Sequence, residues 1–194
     1  MNLVDRARSL ILQPWLEWRV IDAEPQTVQG LYTHYVMVLS AIPAICGFIG
    51  FSLVGVGEFG ATYRVPMAAG VAHMVVSYVM SLGCVYVLAL VIDALAPGFG
   101  GEKNLIQALK VSAFTPTPLW LAGVFSIIPS LWIIGALLSI YSLYLLYAGL
   151  PILMKTPEDK AIACVVVVIM AAIVLVVVVK VVIDLTIPGP IRGY

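Results

Sequence analysis

The feature that most restricts the fold is a run without a single charged residue, from Ala161 to Val179. A helix of about 20 apolar residues crosses the hydrocarbon core of a bilayer. The run is rich in valine, but lipid offers no partner to unpaired backbone groups, so its length and lack of polar alternation favour a helix over a strand. A charged turn, Met154 to Lys160, precedes it, and Pro151 is expected to end the apolar segment before that turn. The pattern predicts a membrane hairpin of two helices.

Composition extends this prediction to the whole chain. Hydrophobic residues make up 62% of the 194 residues and charged residues only 10%, with a mean hydropathy of +1.10. The formal net charge of zero argues against a nucleic-acid partner, because such binding depends on clustered Lys and Arg. Each of the three cysteines lies in a different apolar run, without other metal-ligating residues nearby, which favours buried thiols over a metal site or disulfide. No cofactor is expected.

Apolar runs and the turn residues between them divide the chain into five predicted spans within a single domain, residues 1–194. The spans cover about 32–56, 66–96, 105–125, 129–150 and 160–185. The predicted fold class is therefore all-α, an integral membrane bundle of five transmembrane helices. The third span is interrupted by two prolines in the segment Thr115-Pro116-Thr117-Pro118.

The first 24 residues carry too many charges for a signal peptide. Apolar residues recur at helical spacing from Leu3 to Ile11, and Trp15 and Trp18 follow. Tryptophan favours the headgroup level of a membrane. We therefore predict that residues 1–24 form an amphipathic helix lying on the membrane surface. The alternative is a cytosolic tail that packs on the loops.

The distribution of Lys and Arg predicts the orientation, because cytoplasmic loops carry the excess of positive charge. With five spans, the N-terminus shares one side with the second-to-third and fourth-to-fifth connections. That side carries Arg6, Arg8, Arg19, Lys103, Lys110, Lys155 and Lys160, and the other side carries Arg64, Lys180 and Arg192. The N-terminus is predicted to be cytoplasmic and the C-terminus outside.

Two long segments are distinctive: YSLYLLYAGLPILMKTPEDKA (141–161) and FGGEKNLIQALKVSAFTPTPLWLAG (99–123). Both resemble the Yip family, whose name stands for Ypt/Rab-interacting protein, in its bacterial branch. The resemblance implies a five-helix protein of the bacterial cytoplasmic (inner) membrane that works by contacting other membrane proteins, including copies of itself, and membrane lipids. Eukaryotic relatives bind lipidated Rab GTPases through a long cytosolic N-terminal region. This chain shows no such region, so Rab binding is not expected.

Ionisable residues within spans are candidates for function, because burying them is costly unless they are paired. Lys180 and Asp184 are four residues apart on one helical face, and Asp93 and Lys110 lie at the ends of adjacent spans. Both combinations are predicted to be structural ion pairs. The corner Met154-Lys155 is predicted to be exposed and to contact a partner or a lipid headgroup.

The proline-broken third span suggests a second kind of site. Each proline removes a backbone donor and leaves a carbonyl that must find another partner away from lipid. The candidate buried polar residues are His73, Ser77, Ser112, Thr115, Pro116, Thr117, Pro118, Tyr141 and Tyr144. They predict either a fixed kink with satisfied carbonyls or a small hydrated pocket.

No catalytic motif is present: the chain lacks a G-x-S-x-G elbow and metal-ligand spacing, and no span carries two carboxylates placed to work together. We expect a non-enzymatic protein. The favoured function is a membrane scaffold or adaptor acting through protein–protein contacts within the membrane, in a membrane-organising or trafficking-like role. The alternative is a small channel or transporter for an ion or small solute that uses the broken third span.

Overall fold

The computed structural model describes residues 2–58, 61–128 and 131–186, and it is helical apart from one short hairpin. The helices are α1 (Leu3–Leu12), α2 (Pro14–Ala23), α3 (Val28–Val54), α4 (Met67–Leu95), α5 (Leu105–Phe114), α6 (Thr117–Ala122), α7 (Trp132–Met154) and α8 (Glu158–Thr186). In the hairpin, strand β1 (Val56–Glu58) pairs with β2 (Ala61–Tyr63) in antiparallel register.

Four helical segments of the described chain are long and apolar enough to cross a membrane. They are Val28–Val54, Met67–Phe99, Ile133–Met154 and Asp159–Ile183. The predicted all-helical, multi-pass membrane architecture is confirmed at this level. The predicted second span, 66–96, matches α4 closely, whereas α3 begins four residues earlier than the first predicted span.

The segment predicted as the third span consists of two short helices, α5 and α6, followed by a 3₁₀ turn at Gly123–Ile127. The break falls at Thr115 and Pro116, as the loss of backbone donors requires. The chain is buried continuously from Ala108 to Thr115. α5 packs on α4 and α7, and α6 packs on α3 and α7. The broken segment therefore forms the centre of the bundle.

Small residues allow α3 to approach this central segment closely. A Cβ atom on Gly123 would lie 2.6 Å from the Cα of Pro43 in α3. A Cβ atom on Gly50, further along α3, would overlap the carbonyl oxygen of Ser126. Helices in membranes commonly pack through such small residues, because van der Waals contact replaces the hydrophobic driving force.

The prediction that Pro151 ends the fourth helix is wrong. α7 continues through Pro151 to Met154, since the φ angle of proline is helical and the cost of one missing N–H is offset by the burial of Leu150 and Leu153. The helix ends where Lys155 adopts a left-handed conformation with φ 53°. The carbonyl of Met154 accepts a hydrogen bond of 2.8 Å from the N–H of Glu102.

The N-terminal segment forms two helices where one was predicted. Gln13 leaves the helical conformation with φ −140° and ψ 58°, and Pro14 then begins α2, a position at which proline is favoured. Leu10, Trp18 and Ile21 are completely buried in the main hydrophobic core. The N-terminal helices therefore form part of the bundle, with α2 packed against α7.

Candidate functional site

Three chain segments meet at one end of the bundle. The Lys155 ammonium lies 2.5 Å from the Asp22 carboxylate at the end of α2. The connection between α4 and α5 reaches the same place, since Glu102 bonds to Met154. We call the polar contact set formed by Asp22, Glu24, Gln107, Lys110 and Lys155 the junction. It joins the N-terminal helices to the ends of α5 and α7.

Lys110 fastens the end of α2 to α5. Its ammonium donates hydrogen bonds to the carbonyl oxygens of Ile21 at 2.8 Å and Glu24 at 2.7 Å, and its side chain is buried. The last carbonyls of a helix lack intrahelical donors and carry partial negative charge, so a buried cation satisfies both needs. Gln107, one turn earlier, donates to the carboxylate of Asp22 at 2.9 Å.

Arg6 holds α1 against α2 through two carboxylates. Its Nη1 lies 2.5 Å from Oε1 of Glu17, and its Nη2 bonds to Glu24. The guanidinium also lies 5.8 Å from the centroid of the Phe114 ring. Arg6 and Glu17 are both buried, and removing one partner of such a group would leave an uncompensated buried charge.

The segment from Ile11 to Asp22 runs beside the second half of α7. The Tyr141 hydroxyl donates to the carbonyl of Ile11 at 2.6 Å, and the Trp15 indole donates to the Tyr144 hydroxyl at 3.0 Å. Trp15 and Tyr147 also form an edge-to-face ring pair with centroids 6.4 Å apart. Two tyrosines assigned by sequence to a polar pocket therefore bind the N-terminal helices.

At the proline break, the structure confirms one of the proposed donors. The Thr117 hydroxyl donates to the carbonyl of Phe114 at 2.6 Å, where Pro118 has no N–H to offer. Tyr35 lies 2.7 Å from the same hydroxyl oxygen and must be the donor, because Thr117 has a single hydroxyl hydrogen. The Ser112 hydroxyl bonds to a carbonyl of its own helix, that of Leu109, at 3.1 Å.

The remaining residues of the proposed pocket are not brought together. His73 is exposed on the outside of α4, and Ser77 bonds to the carbonyl of Met74 in its own helix at 3.1 Å. The Thr115 hydroxyl is buried and finds no hydrogen-bond partner among the described residues. The prediction that His73 and Ser77 supply donors to the proline break is wrong, because His73 is exposed and the hydroxyl of Ser77 bonds within its own helix.

The predicted pair between Asp93 and Lys110 is also wrong. Lys110 is occupied by the carbonyls at the end of α2, and one carboxylate oxygen of the buried Asp93 has no hydrogen-bond partner within the part of the chain that the structure describes. The sequence placed both residues at neighbouring helix ends, but the N-terminal helices supply a nearer acceptor. The second predicted pair, Lys180 with Asp184, involves a side chain at Asp184 that lies outside the described part of the structure.

The Met154-Lys155 corner differs from its prediction in one respect. Met154 is completely buried (0% exposed) and cannot offer a contact surface. The Lys155 side chain is 48% exposed, yet it pairs with Asp22 and ends α7. Its left-handed backbone gives this residue a structural role that its charge alone did not suggest.

Residues 8–179 match the family model for the Yip1 domain. The chain belongs to the Yip1 domain family. It is 30% identical over 159 residues to the inner membrane protein YohC of Escherichia coli strain K12, which covers 79% of this chain and 81% of that protein. YohC of Escherichia coli O6:H1 gives the same values. No solved structure matches this chain.

Among its described residues, this Yip1 domain has an apolar groove and an open depression. One, of about 360 Å³, lies between α1 and the helices that carry Leu39 and Leu121, and its lining is apolar except for Arg8. The other is an open depression of about 580 Å³ beside Arg6 and Arg19. Within the described ranges, no group of three His, Cys, Asp or Glu side chains is placed to hold a metal ion.

Sequence reasoning missed the polar network of the Yip1 domain that involves the N-terminal helices. A partial signal existed, since Glu17, Trp18 and Ile21 share one face of α2 and mix a charge with large apolar residues. Such a face is unsuited to water and to lipid alike, which indicates packing against a partly polar surface. No comparable signal identified Tyr35 as the partner of Thr117.

Proposed function

We propose that this chain is a scaffold or adaptor of the bacterial inner membrane that crosses the bilayer five times and acts through contacts with other membrane proteins. The fifth crossing is the broken segment α5–α6. It starts at the junction, where Lys110 meets α2, and reaches Gly50 near the far end of α3 through Ser126. It thus covers the length of a membrane-spanning helix, although neither half is long enough to be recognised as one.

The proposed orientation places the junction and the N-terminus in the cytoplasm and the C-terminus outside. Lys103, Lys110, Lys155 and the arginines of α1 and α2 belong to segments that meet at this end. Such an excess of Lys and Arg is typical of the cytoplasmic side. The relative YohC is named an inner membrane protein, which supports the inner membrane as the location of this chain.

The observation that carries the scaffold proposal is the position of His73. It is exposed on the outer side of α4, among exposed apolar residues such as Val71 and Val75. An ionisable side chain in a membrane span normally faces protein or a water-filled cavity. Its exposure here favours a partner helix, from another membrane protein or a second copy, that offers a polar group at this level.

The structure offers less support for the alternative of a channel or transporter. The hydroxyls of Thr117, Tyr141 and Tyr144 bond to protein groups instead of lining a pore. Phe114 and its neighbours fill the centre of the bundle at the proline break. We therefore propose a non-catalytic protein that does not conduct solutes, with lipids and membrane proteins as its partners.

The test is crosslinking within native membranes. A photoreactive amino acid replaces His73 in one variant and Val71 in another, and adducts are compared after purification in mild detergent. In parallel, His73→Leu and the matched control Val71→Leu are purified under the same conditions. We expect protein adducts at residue 73 and a partner that is lost from His73→Leu but retained by Val71→Leu. Lipid adducts alone at residue 73, with unchanged co-purification, would contradict the proposal.

A further inference from the structure

Contacts between the N-terminal helices and α7 show how far these helices extend along the length of α7. Ile11 contacts Tyr141, Trp15 contacts Tyr144 and Tyr147, and Asp22 pairs with Lys155. Tyr141 and Lys155 are 14 residues apart along α7, which corresponds to about 21 Å at 1.5 Å per residue. The segment from Ile11 to Asp22 therefore extends along α7 and does not lie across its end.

The level at which hydrocarbon begins follows from α8. The charged residues at its start are Glu158, Asp159 and Lys160, and the uncharged run begins at Ala161, soon after the turn that contains Lys155. Lys155 thus belongs to the headgroup layer, which adds about 5–8 Å on each side of a hydrocarbon core of about 30 Å. A point about 21 Å below Lys155 is near the bilayer midplane, and the level of Trp15 lies within one leaflet.

The charges of the N-terminal helices are arranged as they are in membrane interiors. Arg6 pairs with both Glu17 and Glu24 on the side that faces the bundle, and charged groups inside membranes are usually paired in this way. Between Leu3 and Ala23 the exposed polar side chains are those of Asp5, Arg8, Gln13 and Arg19. Long arginine side chains can extend toward the headgroups.

The outward side of this segment is apolar. Leu12 is 64% exposed, Leu16 is 61% exposed, and Trp15 and Val20 are nearly half exposed. Trp15, Leu16 and Val20 lie on one face of α2, which the exposed Arg19 shares near its junction end, and Leu12 lies across the break at Gln13. An apolar helix face at the depth of the hydrocarbon core is expected to contact the acyl chains of the lipids.

We infer that α1 and α2 enter the leaflet on the junction side as a re-entrant element, with the outward face of α2 in contact with phospholipid acyl chains. This places the pair below the membrane surface on which residues 1–24 were predicted to lie. The inference uses the proposed topology only to name that leaflet as the cytoplasmic one. It does not depend on the scaffold role.

Depth is measured with nitroxide labels on single cysteines. The three native cysteines, which form no disulfide, are first replaced by alanine in the full chain. The protein is reconstituted in vesicles of phosphatidylcholine and phosphatidylglycerol, and Leu16→Cys is labelled. Ile140→Cys on the exposed side of α7 serves as the hydrocarbon control, and Glu102→Cys at the junction serves as the aqueous control.

We expect the label at Leu16 to collide with oxygen, which partitions into lipid, as the Ile140 label does, and to be protected from a water-soluble nickel chelate. Leu12→Cys, next to the break between α1 and α2, should be protected from the nickel chelate at least as strongly as Leu16→Cys. Nickel accessibility at Leu16 equal to that at Glu102 would overturn the inference. Protection from both reagents, with spin–spin broadening between labelled copies, would overturn it in favour of a second copy on this face.

The two proposals fail separately. The label measurement contains no partner protein, so its outcome does not depend on what binds at His73. Conversely, loss of the His73 crosslink leaves the depth of Leu16 unchanged. If the Leu16→Cys protein does not accumulate in the membrane, a label at Val20→Cys on the same face of α2 provides a second measurement of depth.

Discussion

Pro118 takes a backbone donor away from the carbonyl of Phe114, and the hydroxyl of Thr117 replaces it at 2.6 Å. Tyr35 then completes the arrangement with its own hydrogen bond to Thr117. Phe114, Thr117 and Tyr35 are buried, where a polar group without a partner carries its full desolvation cost. A single threonine therefore replaces the backbone donor that Pro118 removes.

Thr117→Val removes this hydroxyl while keeping the shape of the side chain. We expect a loss of about 1–3 kcal/mol in the free energy of unfolding, since two buried partners lose their hydrogen bonds. The measurement is helix content against temperature or denaturant in mild detergent. Thr117→Ser keeps the hydroxyl and should lose clearly less. A loss for Thr117→Ser as large as or larger than that for Thr117→Val would contradict this account, because packing of the methyl group would then matter at least as much as the hydrogen bonds.

At the scale of elements, the contact between α2 and α7 depends on Gly149. A Cβ atom at this position would overlap the six-membered ring of Trp18, which is itself completely buried. Glycine thus lets the indole lie directly on the backbone of α7. The same helix contains Gly135, where an added Cβ would meet no described atom within 4 Å.

The pair of variants Gly149→Ala and Gly135→Ala separates packing from helix propensity. Gly149→Ala should displace Trp18 and cost about 1–3 kcal/mol of stability, as overpacking of cores does. Gly135→Ala should be neutral or stabilising by up to about 1 kcal/mol, because alanine favours the helix. Unfolding in detergent gives the stability, and trypsin cleavage at Arg19 reports detachment of α2. Increased cleavage in Gly135→Ala alone would contradict this account.

At the scale of the whole molecule, the number of crossings depends on whether α5–α6 connects the two membrane surfaces. With five spans, Lys103 and Ile128 lie on opposite sides, and Lys103 shares a side with Lys160. Each of these residues is exposed, so a cysteine placed there can react. With four spans, Lys103 and Ile128 would lie on the same side.

Single cysteines at these three positions, in a background without native cysteines, are labelled with a membrane-impermeant maleimide in intact cells and in inverted membrane vesicles. We expect Ile128→Cys to react in cells, and Lys103→Cys and Lys160→Cys to react only in inverted vesicles. Reaction of Ile128→Cys from the same side as Lys103→Cys would reject the fifth crossing. Reaction of Lys103→Cys in intact cells would reverse the proposed orientation.

The sequence by itself determined the membrane class, the approximate bounds of the apolar helices and the family. Length and the absence of charge suffice for these, as the run Ala161–Val179 shows, because the bilayer imposes the same requirement on every residue of a span. It also located the break at Pro116 and one of its donors, Thr117, since a lost N–H affects groups close in the chain. Interactions between residues close in the chain can therefore be predicted from the sequence.

Only the tertiary structure decided which distant groups meet. Lys110 binds the end of α2 instead of pairing with Asp93, and the hydroxyl of Tyr141 donates to the carbonyl of Ile11. Helix α7 continues through Pro151 and ends at Lys155. These outcomes depend on how closely α2 approaches α7, which is set by side-chain shapes at positions such as Gly149 and Trp18. The packing of a core depends on the shapes of all neighbouring side chains together. The hydrophobic periodicity of a single segment therefore does not reveal which distant residues it will contact.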